Sequence, residues 1–182
     1  MIPDHVIVPE GLEVRLTEEE DGKYLKEWLS HPSVNRWFPM CTDEENTDAV
    51  ARWIIFHRYK CSLTAVMHGV PCGITTLYLQ PYRKLTHQCE FGIIVSHQFR
   101  NNRVGSVLLE CLMKLARENF NIEVLHLQVY AENPAIRLYK RFGFREFGRQ
   151  THFIKEGDSK KGNSYVGRIL MEKFLVSEVG GE

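Results

Sequence analysis

One stretch near the middle of the chain constrains its fold more than any other. Val104, Val107, Leu108, Cys111, Leu112 and Leu115 recur at i, i+3, i+4, i+7, i+8 and i+11. An apolar stripe with that period needs a helix with one face buried. Two segments of strand character bracket it: Gln88 to Ser96, carrying Phe91, Ile93, Ile94 and Val95, and Glu123 to Tyr130. A strand, helix, strand succession is a crossover within one sheet, and its first strand-to-helix junction is a place where anionic ligands bind.

The rest of the chain is arranged around that crossover. Leu12 to Thr17 alternates apolar Leu12, Val14 and Leu16 with polar Glu13, Arg15 and Thr17, as a half-buried strand does. Thr17 and Glu20 stand at capping-box spacing and predict a helix through about Leu29. Thr42 and Glu45 repeat the device and open a second helix, with Val50, Trp53, Ile54 and His57 on one face. Between the two lies an irregular stretch, Ser30 to Cys41, with two prolines and the aromatics Trp37 and Phe38. Cys61 to Met67 and Val70 to Leu79 form a hairpin across His68-Gly69, where glycine accepts positive φ. After the crossover, Pro134 to about Phe142 is a short helix closed by Gly143. Two strands near Phe144 to Ile154 and Tyr165 to Phe174 flank a polar turn, Lys155 to Ser164, and the tail from Ser177 is expected to fray. This order predicts a mixed α+β sheet of about seven strands with helices on both faces, one domain over residues 1–176.

Composition removes several function classes. The 23 basic and 23 acidic side chains give zero formal net charge, so nothing draws the whole molecule toward nucleic acid or anionic lipid. No apolar run approaches the ~18 residues of a membrane span, and Met1 to His5 shows no signal-peptide pattern. Cys41, Cys61, Cys72, Cys89 and Cys111 form no CxxC pair and leave one over in any pairing, which fits reduced thiols. The histidines have no HxH or HExxH spacing, so no metal site is expected. The expectation is a soluble, cytoplasmic protein that binds neither nucleic acid nor membrane.

At the first junction of the crossover the sequence runs Val95-Ser96-His97-Gln98-Phe99-Arg100-Asn101-Asn102-Arg103-Val104-Gly105-Ser106. Unpaired N–H groups at the helix start, reinforced by the helix dipole, suit a phosphate or pyrophosphate. Asn101 and Asn102 tolerate left-handed backbone, and Gly105 lets a ligand approach closely. A Walker lysine and a GxGxxG fingerprint are both absent, which argues against an unrelated nucleotide-phosphate binder.

Together with Asn133, Ala135, Leu138, Tyr139, Gly143 and Phe144, this loop resembles the GNAT superfamily of acyl-CoA-dependent N-acetyltransferases. The family's pyrophosphate motif, Gln/Arg-x-x-Gly-x-Gly/Ala, reads here Arg100-x-x-Arg103-x-Gly105, so Arg103 stands where the first glycine is usual. The second motif, Asn then Ala and Leu-Tyr then Gly-Phe, follows about 30 residues later. The resemblance covers residues 12–174, is clearest from Glu90 to Phe144, and the opening segment is similar to the ribosomal-protein and spermidine acetyltransferase branches.

The resemblance implies a splayed sheet with acetyl-CoA in the gap between its fourth and fifth strands, Gln88–Ser96 and Glu123–Tyr130. Backbone of Ile93, Ile94 and Val95 would hold the pantetheine, and Arg100, Asn101, Asn102, Arg103, Val104, Gly105 and Ser106 the pyrophosphate. Asn133 would lie near the pantetheine, although Asn before Pro at a helix start is also an ordinary N-cap. An amine with pKa near ~10 must lose a proton before it attacks a thioester. Glu90 matches the position of an acidic base, and apolar neighbours would raise its pKa. An ordinary ion-paired strand carboxylate is the plain alternative. Tyr139 matches the tyrosine that serves as general acid to the departing thiolate, and its core spacing on a short helix allows a packing role as well. Transfer would be direct, with no covalent enzyme intermediate.

The acceptor stays open between a protein N-terminal amine, a polyamine and another small amine. Arg103 in the glycine position also keeps open a catalytically silent acyl-CoA sensor on the same fold. An exposed last strand would offer an edge for a homodimer. The neutral total charge is expected to divide locally, with Arg100 and Arg103 at the cofactor end and acidic residues at the acceptor end.

Overall fold

The apolar stripe forms the helix that organises everything else. In a computed structural model of the chain, residues 2–156 and 164–176 are described; the expected tail and most of the Lys155–Ser164 turn lie outside them. Strands β1 (Leu12–Leu16), β2 (Ser62–Met67), β3 (Val70–Tyr78), β4 (Gln88–Val95), β5 (Val124–Tyr130), β6 (Arg145–Glu156) and β7 (Ser164–Phe174) make one sheet in the order β1-β2-β3-β4-β5-β7-β6. Neighbours are antiparallel except β4 and β5, which lie parallel across helix α4 (Val104–Phe120). The α4 stripe is buried: Val104, Val107, Leu108 and Cys111 pack with Leu63, Ala65 and Cys72 of the first hairpin. Leu109, Leu112 and Ala116 pack with Leu125, Leu127 and Met171 further along the sheet. Each fully buried aliphatic side chain there stabilises the fold by about 1.5–3 kcal/mol.

Helices α1 (Gly22–Ser30) and α3 (Asp43–Ile54) cover the other face, where Leu25, Leu29 and Ile54 meet Ile74 of β3 and Ile94 of β4. The irregular stretch between them contains one short helix, α2 (Pro32–Asn35). Thr42 caps α3 as expected, with the Glu45 N–H donating to its hydroxyl at 3.2 Å and the Glu45 carboxylate accepting from the Thr42 N–H at 3.2 Å. The first cap is displaced by one residue. Glu18 and Asp21 form the reciprocal pair, with the Glu18 N–H donating to Asp21 at 2.9 Å.

Thr17 is buried instead, its hydroxyl hydrogen-bonded with the hydroxyls of Ser62 at 2.9 Å and Thr64 at 3.0 Å. Asp21 also accepts two bonds from Arg15 at 2.7 and 2.8 Å and one from Thr64 at 2.8 Å, tying the helix start to β1 and β2. Burial alone would push its carboxyl up, but the bonds from Arg15, the Glu18 amide and Thr64 outweigh it and hold the pKa below its ordinary value.

The hairpin turn has His68 at φ +49° and Gly69 at φ +81°, the doubly left-handed turn whose twist matches the strands. The last strand is not an edge. β7 pairs with β5 on one side and β6 on the other, so β6 is the outer strand and the expected dimer edge on β7 is already used. No helix among the described residues is long and apolar enough to cross a membrane.

Candidate active site

β4 and β5 pair only at Gln88–Val124, Cys89–Leu125 and Glu90–His126. Beyond that last rung they part, Phe91–Val95 staying with β3 and Leu127–Tyr130 with β7. A cleft of about 1780 Å³ opens in the gap, bordered by both strands, α3, the start of α4 and the short helix α5 (Ile136–Arg141). The Ser96 N–H donates to Cys72, whereas the His87 carbonyl accepts from Glu123 and Val124 on the opposite side. Alternation along the strand then aims the backbone groups of Phe91, Ile93 and Val95 into the gap and those of Ile94 at β3. Of the three expected pantetheine residues, Ile93 and Val95 therefore offer free backbone, and Ile94 contributes a buried side chain.

The loop into α4 turns through left-handed residues Asn101 (φ +64°) and Arg103 (φ +62°). Arg103 thus adopts the conformation for which a glycine would ordinarily be used. The Val107 N–H is bonded back to Arg103 at 3.0 Å, and the N–H groups of Val104, Gly105 and Ser106 precede it in the first turn. The Val104 side chain is core, so its backbone alone serves that turn. Asn102 is exposed and does not border the cleft. Arg100 borders it, but its guanidinium donates to the Ser33 carbonyl at 3.0 Å and braces the segment before α3. Arg137 and Arg141 of α5 reach the same end, and Arg141 donates to the Ser106 hydroxyl at 2.9 Å. These two cations come from the second motif, and only the fold brings them beside the first.

Glu90 stands at the fork. It lies among polar groups rather than the apolar neighbours expected: Gln128 Nε2 donates to its Oε1 at 2.8 Å, and His126 faces it across the last rung. Burial holds the His126 imidazole below its ordinary pKa, against the opposing pull of Glu90 and Glu172, and so favours the neutral ring. Opposite on β3, burial and the Glu90 charge push the Tyr78 phenol up. Tyr78 and Trp53 form an aromatic wall (ring centroids 6.1 Å apart) that Gly92 admits, since a Cβ there would lie 2.5 Å from the Tyr78 hydroxyl.

Tyr139 packs edge-on against Phe91 and Phe144, with ring centroids 6.2 and 6.1 Å away, and borders the cleft from α5. Burial pushes its phenol up, so it stays protonated throughout the neutral range. Asn133 lines the cleft as well, and its Oδ1 accepts from the Ala135 N–H at 2.9 Å, closing a side-chain turn ahead of α5. The expected N-cap position falls to Ala135, which makes no side-chain cap bond, because the helix begins only at Ile136.

Charge divides less cleanly than expected. Arg100, Arg103, Arg137 and Arg141 gather at the α4 end, but the other end mixes Glu45, Asp48 and Glu90 with Arg52 and Arg168. Gln128 and Arg168 escape sequence reasoning because nothing local shows that β5 and β7 place them in a row with Glu90. Among the described residues, no group of three or more His, Cys, Asp or Glu side chains is placed to hold a metal ion.

Comparison with known proteins agrees with this geometry. The chain is 26% identical over 142 residues (78% of this chain, 80% of the relative) to the L-amino acid N-acetyltransferase AaaT of Escherichia coli (strain K12). It is 39% identical over 68 residues to an N-alpha-acetyltransferase of Sulfurisphaera tokodaii, 37% of this chain and 41% of that one. Among solved structures, yncA of Salmonella typhimurium, determined with its cofactor acetyl-CoA, superposes with a TM-score of 0.73 at 17% identity, covering 95% of this chain and 99% of that one. A ribosomal-protein-alanine N-acetyltransferase from Brucella melitensis superposes with a TM-score of 0.67 at 24% identity, covering 89% and 99%. The acetyltransferase (GNAT) family model matches residues 22–144, from the first helix through the fork to the end of the second motif, and this chain belongs to that family of acetyltransferases.

Proposed function

We propose that the enzyme transfers the acetyl group of acetyl-CoA directly to a primary amine, and that the acceptor is an α-amino group. The observation that carries the reading is the parting of β4 and β5 immediately after the Glu90–His126 rung. It leaves a row of unpaired backbone groups on Ile93 and Val95 that a peptide-like pantetheine can satisfy. It also sets a carboxylate at the fork and a buried phenol on the opposite wall. The curated relatives, an L-amino acid and an N-alpha-acetyltransferase, favour α-amino acceptors over polyamines.

In this reading the first turn of α4 and Arg103, Arg137 and Arg141 hold the pyrophosphate, with Gly105 leaving room at the helix start. Glu90 takes a proton from the acceptor, directly or through water, and cleft-facing N–H groups of β4 stabilise the oxyanion at the thioester carbonyl. Tyr139 gives its proton to the departing thiolate. The silent acyl-CoA sensor is the alternative reading. The left-handed backbone at Arg103 supports a loop that keeps its phosphate-binding turn, which both readings require, so turnover separates them.

The test is calorimetric titration with acetyl-CoA followed by thiol release on free amino acids, peptides and polyamines. Turnover is expected, and Glu90→Gln is expected to lower it about 100-fold while flattening the acidic limb of the pH–rate profile. Binding without turnover of any amine would favour the sensor. An unaltered profile in the variant would retire Glu90 as base.

A further inference from the structure

Four polar side chains cross the sheet in one row, one from each of four adjacent strands: Glu90 on β4, Gln128 on β5, Arg168 on β7 and Gln150 on β6. Gln128 Nε2 donates to Glu90 at 2.8 Å, Arg168 Nη1 donates to Gln128 Oε1, and Arg168 Nε donates to Gln150 Oε1 at 3.0 Å. The amide orientation of Gln128 follows from its partners, since an ionised carboxylate only accepts and a guanidinium only donates. The Arg168 guanidinium also lies over the Phe153 ring, 4.1 Å from its centroid, and borders the cleft. Arg52, the other arginine at this end, has a carboxylate 3.9 Å away in Asp48, whereas Arg168 has none among the described residues. It is a cation held in place by two glutamines and an aromatic face, with donor capacity left over.

Resting on the proposed function, we propose that Arg168 is the carboxylate-docking residue and that the acceptor is a free α-amino acid. The Gln128 amide presents a donor to Glu90 and an acceptor to Arg168 across one short polar group. A zwitterionic α-amino acid presents the same pair in the same order, an ammonium donor and a carboxylate acceptor joined through one carbon. It takes the place of the exposed Gln128 amide between the two charges, with its amine at the base and its carboxylate on the guanidinium fork. A peptide N-terminus has an amide where the carboxylate should be, and a polyamine has a second cation, so both leave Arg168 without its partner.

The experiment compares kcat/KM for free L-amino acids with that for their C-terminal amides, in the wild-type enzyme and in Arg168→Gln and Arg168→Lys. The wild type is expected to prefer the acid by about 10- to 100-fold. In Arg168→Gln the KM for the acid rises by a similar factor with kcat nearly held, and the acid-to-amide ratio falls toward one. Arg168→Lys keeps the charge but not the fork and gives an intermediate ratio, which carries the test if the glutamine variant melts early. Equal use of acid and amide by the wild type overturns the proposal, as does an Arg168 substitution that lowers both equally. Good turnover of peptides with indifference to the carboxylate overturns this inference alone, whereas good turnover of polyamines overturns the α-amino acceptor of the proposed function with it. Failure of every amine overturns the proposed function and this inference with it.

Discussion

Arg103 shows at a single residue how a motif departure is absorbed. A non-glycine side chain at φ +62° costs roughly 1–2 kcal/mol, and glycine's extra freedom in the unfolded chain offsets part of the gain from removing it. Arg103→Gly is therefore expected to stabilise the fold by about 0.5–1 kcal/mol, read as a higher urea midpoint at unchanged m-value. A lower midpoint would mean that the arginine side chain contributes more than its backbone costs. Tyr139 gives the complementary case, in which packing and chemistry separate within one side chain. Tyr139→Phe keeps the ring against Phe91 and Phe144 and removes only the hydroxyl. The expected result is a kcat lowered about 100-fold with the KM for acetyl-CoA within about threefold. Unchanged turnover at saturation would leave Tyr139 as a core residue. Both residues were visible in the sequence. Whether the chain tolerates Arg103, and whether Tyr139 reaches the cleft, depended on backbone angles and packing that no local pattern encodes.

At the scale of elements, α4 carries two demands that pull apart. A helix prefers alanine to glycine by about 1 kcal/mol, and a Cβ on Gly105 would meet Leu138 at 3.4 Å and Val95 at 3.7 Å, ordinary contact distances. The protein has room for the methyl, but that room is the cleft. Gly105→Ala is expected to raise the melting temperature by a few degrees while weakening acetyl-CoA binding several-fold, measured by calorimetry on the same preparation. Tighter binding would remove Gly105 from the cofactor site. The elements themselves were legible because their signals are local: the α4 stripe, the His68-Gly69 turn and the Thr42–Glu45 cap. The first cap was misplaced for the opposite reason. Thr17 has the right spacing for a capping box, but Ser62 and Thr64, distant in sequence, engage its hydroxyl, and Asp21 takes over the cap while also binding Arg15 and Thr64.

For the molecule as a whole, a net charge of zero conceals an uneven distribution. Arg103, Arg137 and Arg141 converge at the α4 end of the cleft from two motifs, and with the pyrophosphate placed there its binding should weaken as salt screens them. The KM for acetyl-CoA is expected to rise about three- to tenfold between ~0.05 and ~0.5 M salt, with kcat nearly constant. A salt-independent KM would place the phosphates elsewhere. At this scale the sequence by itself determined which segments become strands and helices, their order, and the loop and helix that border the cleft, because periodicity, caps and turns act over a few neighbouring residues. The tertiary structure alone decided that β4 and β5 part after Glu90, that β7 lies inside β6, and that Glu90, Gln128 and Arg168 stand in one row. Strand register is set by pairing between segments far apart in the chain, and a shift of one residue would send each of those side chains to the opposite face.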